Sequence, residues 1–211
     1  MPWTAELAVT SIVVAAMLGI SAGLLAALHH NQRLDVLISA LMLFGISMPG
    51  FWLGLMLILF FGVVLGVLPA GGRGTVWHLI LPAFTLGYFT SAAILRLTRS
   101  AMLEVLGSDY IKFARLKGLH EQVVLWKHGL KNAVIPVVTV LGLQVAQITG
   151  GAVIIETIFG IPGMGQFLVE AILQRDYPVI QGINLLIVII IVATNLLVDL
   201  TYALLDPRIR Y

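Results

Sequence analysis

The side chains that could perform catalysis or bind a metal are five histidines and ten acidic residues, spread along the chain. His120 and Glu121 begin the pattern H-E-x-x-H, which binds zinc when a second histidine follows one helical turn later. Val124 stands where that histidine would be needed. Because cysteine is absent, there is no thiolate ligand and no thiol nucleophile. We therefore expect no metal site, no catalytic residue and no bound cofactor in this chain.

The sequence also lacks the G-x-x-x-x-G-K-[S/T] loop that holds nucleotide phosphates. Its histidines lie at or near the ends of apolar runs, where side chains with an apolar body and a polar tip are common. These histidines are His29, His30, His78, His120 and His128. The pattern does not indicate an enzyme, so function has to be sought in the arrangement of the apolar runs.

Composition indicates that lipid covers much of this protein. Of 211 residues, 60% are hydrophobic and 10% are charged, against about 25% charged in an average soluble domain. The net charge of +2 does not suggest nucleic-acid binding, because the basic residues lie between apolar runs and in the tail. We predict a single all-α integral membrane domain over residues 1–211.

Five apolar stretches are long enough to cross a bilayer, which takes about 20 residues per helix. The stretch containing Pro49 and Gly50 is long enough to form either one kinked helix or a hairpin. We favour one kinked helix, because each half alone is too short for a span and the turn would carry no polar residue. The predicted spans are residues 8–28, 36–66, 76–97, 132–155 and 178–204.

The distribution of Lys and Arg predicts the orientation. With five crossings, one side holds Arg33, the basic residues between 96 and 131, and the tail residues Arg208 and Arg210. The other side holds Arg73 and Arg175. The positive-inside rule places the richer side in the cytoplasm, with the N-terminus outside and the C-terminus inside.

Two connecting segments are longer than the rest, residues 98–131 on the cytoplasmic side and residues 156–177 on the outer side. The cytoplasmic segment is predicted to form two short amphipathic helices around Gly118, the first capped at Ser108. Its apolar residues are too numerous for a loop that touches only water. A plain topology loop and a surface for a partner are the two interpretations that these residues leave open.

Polar residues within the spans are few, and buried polar groups in lipid usually face a bundle or an aqueous path. A role along a solute pathway and a hydrogen bond between helices are equally open for each of them. The pathway candidates are Ser47, Gln144, Gln147 and Thr149.

The segment DYIKFARLKGLHEQVVLWKHGLKNAVIP resembles the coupling loop of ABC importer permeases, in the version of the dipeptide, oligopeptide and nickel family. Collinear blocks at Gly45–Leu55, Gly150–Gly182 and Asn195–Tyr211 resemble the same family. Its members usually begin with a further span and a long extracytoplasmic segment, and this chain begins at what resembles their second span. The positions that match the family's coupling motif are Tyr110, Ala114, Arg115, Lys117, Gly118 and Leu119.

This resemblance implies a multi-pass subunit of the bacterial inner membrane that forms half of a solute pathway. It further implies a separate ABC ATPase that docks on the coupling segment, a second permease subunit (homologous or identical) and an extracytoplasmic substrate-binding protein. We expect Ala114 and Gly118 to be small because the ATPase approaches closely. Relatives in the family carry peptides, nickel chelates or glutathione, and no motif here selects among these solutes.

The outer segment resembles the extracytoplasmic loop of that family. We expect it to fold back into the helix bundle, since irregular backbone at membrane depth must be buried in protein or line a cavity. It would then line the outer mouth of the pathway beneath a binding protein. The candidates for this contact are Glu156, Gly163, Glu170, Arg175 and Asp176.

Two other classes of function were weighed against the importer subunit. A self-powered carrier or channel would usually place Asp, Glu or Arg at mid-membrane, and the spans have no carboxylate there. A structural membrane anchor would not need a two-helix cytoplasmic segment. Stimulation of a co-purifying ATPase would separate the three classes.

Overall fold

The computed structural model describes residues 2–205, without the side chains of residues 46, 146, 199 and 201–205. Tail residues Arg208 and Arg210, used above to predict orientation, lie outside this description. Within residues 2–205 the chain is helical, without strands, as predicted. The helices are α1 (Pro2–Leu28), α2 (Arg33–Ser47), α3 (Gly50–Leu57) continued by a π-helix (Ile58–Val64), α4 (Trp77–Gly107), α5 (Asp109–Leu116), α6 (Glu121–Val123) continued by a π-helix (Val124–Leu130), α7 (Lys131–Phe159), α8 (Met164–Gln174) and α9 (Tyr177–Leu205).

Helices α1 and α4 run parallel and pack closely along their whole length. Gly87 lies beside Ser11 near one end of the pair, and Gly23 lies beside Thr98 near the other. A Cβ atom at Gly23 would come within 2.6 Å of the Thr98 Cβ atom. Such small residues let two backbones approach closely, which is the main source of helix packing in a membrane.

Helix α7 packs antiparallel to this pair and completes the centre of the bundle. Ala133, near its start, clusters with Leu24 and Met102 at the ends of α1 and α4. Phe159, at its own end, clusters with Leu7 and Leu81 at the starts of those helices. Both clusters are buried, so α7 contacts α1 and α4 at both ends.

The bundle therefore has two distinct ends. We call the end that holds residues 28–35 and 99–131 the basic end, because most of the described Lys and Arg residues lie there. We call the other the outer-loop end, which holds the start of α1, residues 65–76 and residues 156–177.

Helices α2 and α3 form one path from the basic end to the outer-loop end, broken at Pro49. Their axes differ in direction by 100°, so this break is much sharper than the kink expected from sequence. Gly45 fits there because a Cβ atom would lie 1.8 Å from the Tyr88 ring. The Tyr88 hydroxyl donates a hydrogen bond to the Leu41 carbonyl at 2.7 Å, which fixes α2 against α4.

Helix α9 packs antiparallel to α7, with Val198 against Gly142, and is the most exposed of the long helices. By length and composition α1, α4 and Tyr177–Val198 are each sufficient to cross a membrane, and the count rises to five if each bent pair is one span. The predicted boundaries of the five spans stay a prediction.

Candidate functional sites: coupling hairpin, central cavity and outer loop

Residues 109–130 form a helical hairpin at the basic end, which we call the coupling hairpin. Its inner side is a small apolar core in which Ile111 and Ala114 of α5 pack against Val124, next to Val105 at the end of α4. Helix α5 begins after Ser108 and ends before Gly118, whose φ of +73° suits glycine in the left-handed region. The predicted pair of helices around Gly118 is therefore present.

Two polar contacts join the arms of the coupling hairpin. The Arg115 guanidinium donates two hydrogen bonds to the Glu121 carboxylate, at 2.6 and 3.2 Å, and the Tyr110 hydroxyl is hydrogen-bonded to His128. The hydrogen bonds from Arg115, aided by its charge, lower the pKa of Glu121. The same pairing raises the pKa of Arg115. The hairpin is thus held in shape by this chain alone.

The outer side of the coupling hairpin is apolar and exposed. Leu116 is 83% exposed, Phe113 64% and Trp126 60%. Exposed apolar patches of this kind are typical of surfaces that contact another protein or the membrane. Phe113 and Leu116 are among the apolar residues counted in this segment from sequence, but they were not selected as site residues, and Trp126 was missed. The three-residue spacing of Ile111 and Ala114 is the sequence signal for the opposite, inner face of α5.

The structure places Tyr110, Arg115, Lys117, Gly118 and Leu119 on the hairpin surface, as a partner contact requires. Ala114 differs, because it is buried against the chain's own hairpin core. Its small size is therefore explained by packing within the chain, and the expected close approach of a partner at this residue is not needed. No described atom of this chain lies within 4 Å of a Cβ atom built at Gly118; its positive φ favours glycine there, and the close approach of the ATPase stays a prediction.

A partly buried ion pair beside the coupling hairpin joins α2 to α4. The Arg99 guanidinium donates to both carboxylate oxygens of Asp35, at 2.8 and 2.7 Å, and Asp35 is buried. The Asn31 backbone N–H donates to the same carboxylate at 3.0 Å. This contact, which sequence reasoning missed, fixes the turn between α1 and α2 two helical turns before the coupling hairpin begins.

A cavity of about 360 Å³ lies between α3, α4 and α7 and is open on the side of the exposed residues Phe51 and Gln147; we call it the central cavity. Of the predicted pathway residues, Gln144 and Gln147 line this cavity. Thr149 points away from it, into a space between α1 and α9, and Ser47 is exposed at the break after α2. The cavity is also lined by Thr85 and Thr90 of α4, which sequence reasoning did not select although they are polar residues within a predicted span.

The outer loop is organised around Glu156, which is fully buried. One oxygen of its carboxyl group accepts hydrogen bonds from the backbone N–H groups of Gly165 and Gln166, at 2.6 and 3.3 Å. These N–H groups lie in the first turn of α8. Backbone N–H groups in the first turn of a helix have no hydrogen-bond acceptor within that helix. Thr4 accepts from the Met164 N–H at 2.9 Å and so ties the same turn to α1.

Glu156 was predicted to be available to a binding protein or a solute, and this prediction is wrong. The residue is turned into the protein because it caps α8. Gly163 is buried too, since a Cβ atom there would lie 2.3 Å from the Glu156 carboxyl group. Glu170, Arg175 and Asp176 are exposed and remain free to meet a partner. Folding of the outer loop against the bundle agrees with the sequence-based expectation.

Comparison with known proteins identifies the family. Residues 19–211 match the family described as binding-protein-dependent transport system inner membrane component. The chain belongs to this family. It is a transmembrane permease subunit of a binding-protein-dependent ABC importer, and the predicted assignment is confirmed.

Curated relatives carry names of the same kind. The chain is 42% identical to the oligopeptide transport system permease protein AppB of Bacillus subtilis, covering 100% of this chain and 70% of that protein. It is 43% identical to the dipeptide transport system permease protein DppB of Escherichia coli K12, covering 99% and 70%. It is 45% identical to the glutathione transport system permease protein GsiC of the same strain, covering 99% and 68%.

Solved structures share the fold. A chain in an inward-facing conformation of the MetNI methionine ABC transporter matches with a TM-score of 0.78 at 20% identity, covering 96% of this chain and 93% of that chain. A chain from the crystal structure of an amino acid ABC transporter with histidines matches with a TM-score of 0.71 at 13% identity, covering 96% and 90%. At these identities the likeness concerns the fold alone.

Proposed function

We propose that this permease forms half of the pathway of an importer for peptides or similar small amide-containing solutes. The support comes from relatives at 42–45% identity, which are named for oligopeptides, dipeptides and glutathione. All three solute names describe molecules built from peptide bonds. A nickel chelate remains the second candidate from the family resemblance, and nothing in the described residues favours it.

We propose that a separate ABC ATPase docks on the exposed face of the coupling hairpin and hydrolyses the ATP. The observation that supports this most directly is an apolar face, centred on Leu116, on a hairpin whose shape is already fixed from within. Such a preorganised face binds a partner without paying for its own folding. Because the hairpin connects the end of α4 to the start of α7, a rigid movement of the hairpin would also move these two helices.

We propose that the basic end faces the cytoplasm and the outer-loop end faces the binding protein. Helices α2 and α3 together run from one end of the bundle to the other. Successive segments therefore alternate in direction, in the order α1, α2 with α3, α4, α7 and α9. Among the described residues, Arg73 and Arg175 are the Lys and Arg side chains at the outer-loop end. The positive-inside rule then places the N-terminus outside.

We propose that a second permease subunit, identical or homologous, completes the pathway, and that lipid covers the remaining apolar surface. The exposed side chains of α2 and α3 support this, because large apolar residues cover both helices. The charged residues Glu170, Arg175 and Asp176 are exposed at the outer-loop end, where they would contact a substrate-binding protein.

The experiment is a coupling measurement on the reconstituted importer, comparing Leu116→Glu with Gln122→Glu. Both variants add one carboxylate to an exposed position of the coupling hairpin, but only Leu116 belongs to the apolar face. We expect Leu116→Glu to lower uptake per ATP hydrolysed at least tenfold, and Gln122→Glu to stay near the wild type. Equal coupling in all three proteins would show that the hairpin is a topology loop.

A further inference from the structure

The two amide side chains in the central cavity have no partner within the protein. Gln144 and Gln147 lie one helical turn apart on α7 and both line the cavity. Within residues 2–205, apart from the side chains noted above as not described, neither amide makes a hydrogen bond. Each therefore offers two N–H donors and a carbonyl acceptor to whatever enters the cavity.

The other side chains that line the cavity are apolar, or their hydroxyl groups already donate a hydrogen bond to the backbone. The Thr85 hydroxyl donates to the Leu81 carbonyl at 2.7 Å, and the Thr90 hydroxyl to the Leu86 carbonyl at 3.3 Å. Phe51 and Phe89 supply aromatic surface. None of the described residues that line the cavity carries a formal charge. Its volume of about 360 Å³ is within the range of about 300–1,000 Å³ typical of small-molecule sites.

This combination suits one kind of chemical group. A peptide unit carries one N–H donor and one carbonyl acceptor, and a primary amide pairs with both. Gln147 and Phe51 are exposed, so the cavity is open on one side, and a charged group there would keep contact with solvent and meet no ion partner among the described lining residues. The cavity is therefore matched to amide groups, and its described lining neither attracts nor repels a charged side chain through a charge of its own.

We propose that Gln144 and Gln147 bind the main-chain amides of the solute as it crosses, and that this site does not read the charge of the solute's side chains. This inference rests on the proposed function, since it assumes a peptide-like solute. It makes the two glutamines specificity-determining residues for the peptide bond. Groups outside the cavity, such as those of the binding protein, would then recognise the charge of the peptide's side chains.

The test uses the reconstituted importer with its ATPase and binding protein, and three tripeptides of equal length. Trialanine, a tripeptide with a central Glu and one with a central Lys serve as the neutral, acidic and basic probes. Gln147→Leu removes the amide at similar volume. Thr139→Val, which removes a hydroxyl from an exposed position on the same helix, is the matched control.

We expect Gln147→Leu to lower uptake of all three peptides by the same factor, roughly three- to tenfold for one lost hydrogen bond. Thr139→Val should leave uptake unchanged. Gln147→Glu places a charge in the cavity, so it should change the ratio of basic to acidic peptide uptake by about tenfold or more relative to the wild type. ATP hydrolysis stimulated by the loaded binding protein reports that each variant is assembled.

The outcomes separate this inference from the proposed function. If the wild type carries none of the three peptides while its ATPase is stimulated by another solute, the proposed solute class is wrong. If the wild type carries all three and Gln147→Leu does so equally well, the glutamines do not bind the main chain. A loss confined to one charge class would also overturn the inference, because the site would then be reading side chains.

Discussion

Replacing Gly165 by alanine should destabilise the outer loop, even though alanine favours helices. A Cβ atom at this position would lie 2.4 Å from the Val153 Cα atom and 2.9 Å from the Glu156 carboxyl oxygen. The nearer contact is with backbone, so the first turn of α8 has to move away from α7. Overpacking of this kind costs about 1–3 kcal/mol, and displacement of the turn also weakens its hydrogen bonds to Glu156.

The matched control is Gly150→Ala, in α7. No atom lies within 4 Å of a Cβ atom built there, so the substitution should show only the helix preference of alanine, a gain of up to about 1 kcal/mol. With about 2–4 °C per kcal/mol for a chain of this size, the apparent Tm should fall by about 2–12 °C for Gly165→Ala and stay level or rise slightly for Gly150→Ala.

The assay is thermal unfolding of the purified importer in detergent, followed by uptake at a temperature where both variants are folded. Uptake should fall in Gly165→Ala, because the outer loop is displaced, and should be retained in Gly150→Ala. Equal Tm values for the two variants would refute the packing of α8 against α7 described here.

Three further outcomes follow from the charged contacts and the topology. Asp35→Asn removes the charge that pairs with the partly exposed Arg99 and should cost about 1–3 kcal/mol of stability, between the values for exposed and for buried pairs; a Tm equal to that of the wild type would contradict the ion pair. The lowered pKa of Glu121 means that its pairing stabilises the coupling hairpin above the ordinary pKa of 4.5 and is lost as pH falls through the lower folded value. The amide protection factors of the hairpin should therefore fall in acid in the wild type, whereas Glu121→Gln should show low protection factors at every pH; identical pH profiles of protection would exclude this role. A membrane-impermeant thiol reagent added outside should label Val76→Cys and leave Gln32→Cys unlabelled, and the reverse pattern would invert the orientation.

The helical class and the direction of the chain could be predicted because they depend on composition and on runs of apolar residues. Pro49 marked the break between α2 and α3, but its angle could not be predicted. Just before the break, the Tyr88 ring lies against Gly45 from α4, a helix distant in sequence. Contacts of this kind leave no periodic signal in a single sequence.

The site residues show the same limit. Glu156 was predicted to be available to a binding protein or a solute because it is a polar residue of a loop that resembles the family's extracytoplasmic loop, whereas the structure buries it over the first turn of α8. Its neighbours Gly163 and Gly165 are the available signal, since two glycines around a helix start indicate a close approach. Asp35 and Arg99 could not be paired from sequence, because a long loop-and-helix segment separates them and either could have met water at the basic end.

The central claim is that this permease moves its solute with energy from a separate ATPase acting through the coupling hairpin. The most direct measurement is uptake of a labelled tripeptide into proteoliposomes that hold the importer, with its binding protein outside and ATP inside. The account predicts uptake that needs ATP hydrolysis and persists when ion gradients are abolished. Uptake driven by a proton or sodium gradient in vesicles without ATP would contradict it, since the chain would then be a self-powered carrier.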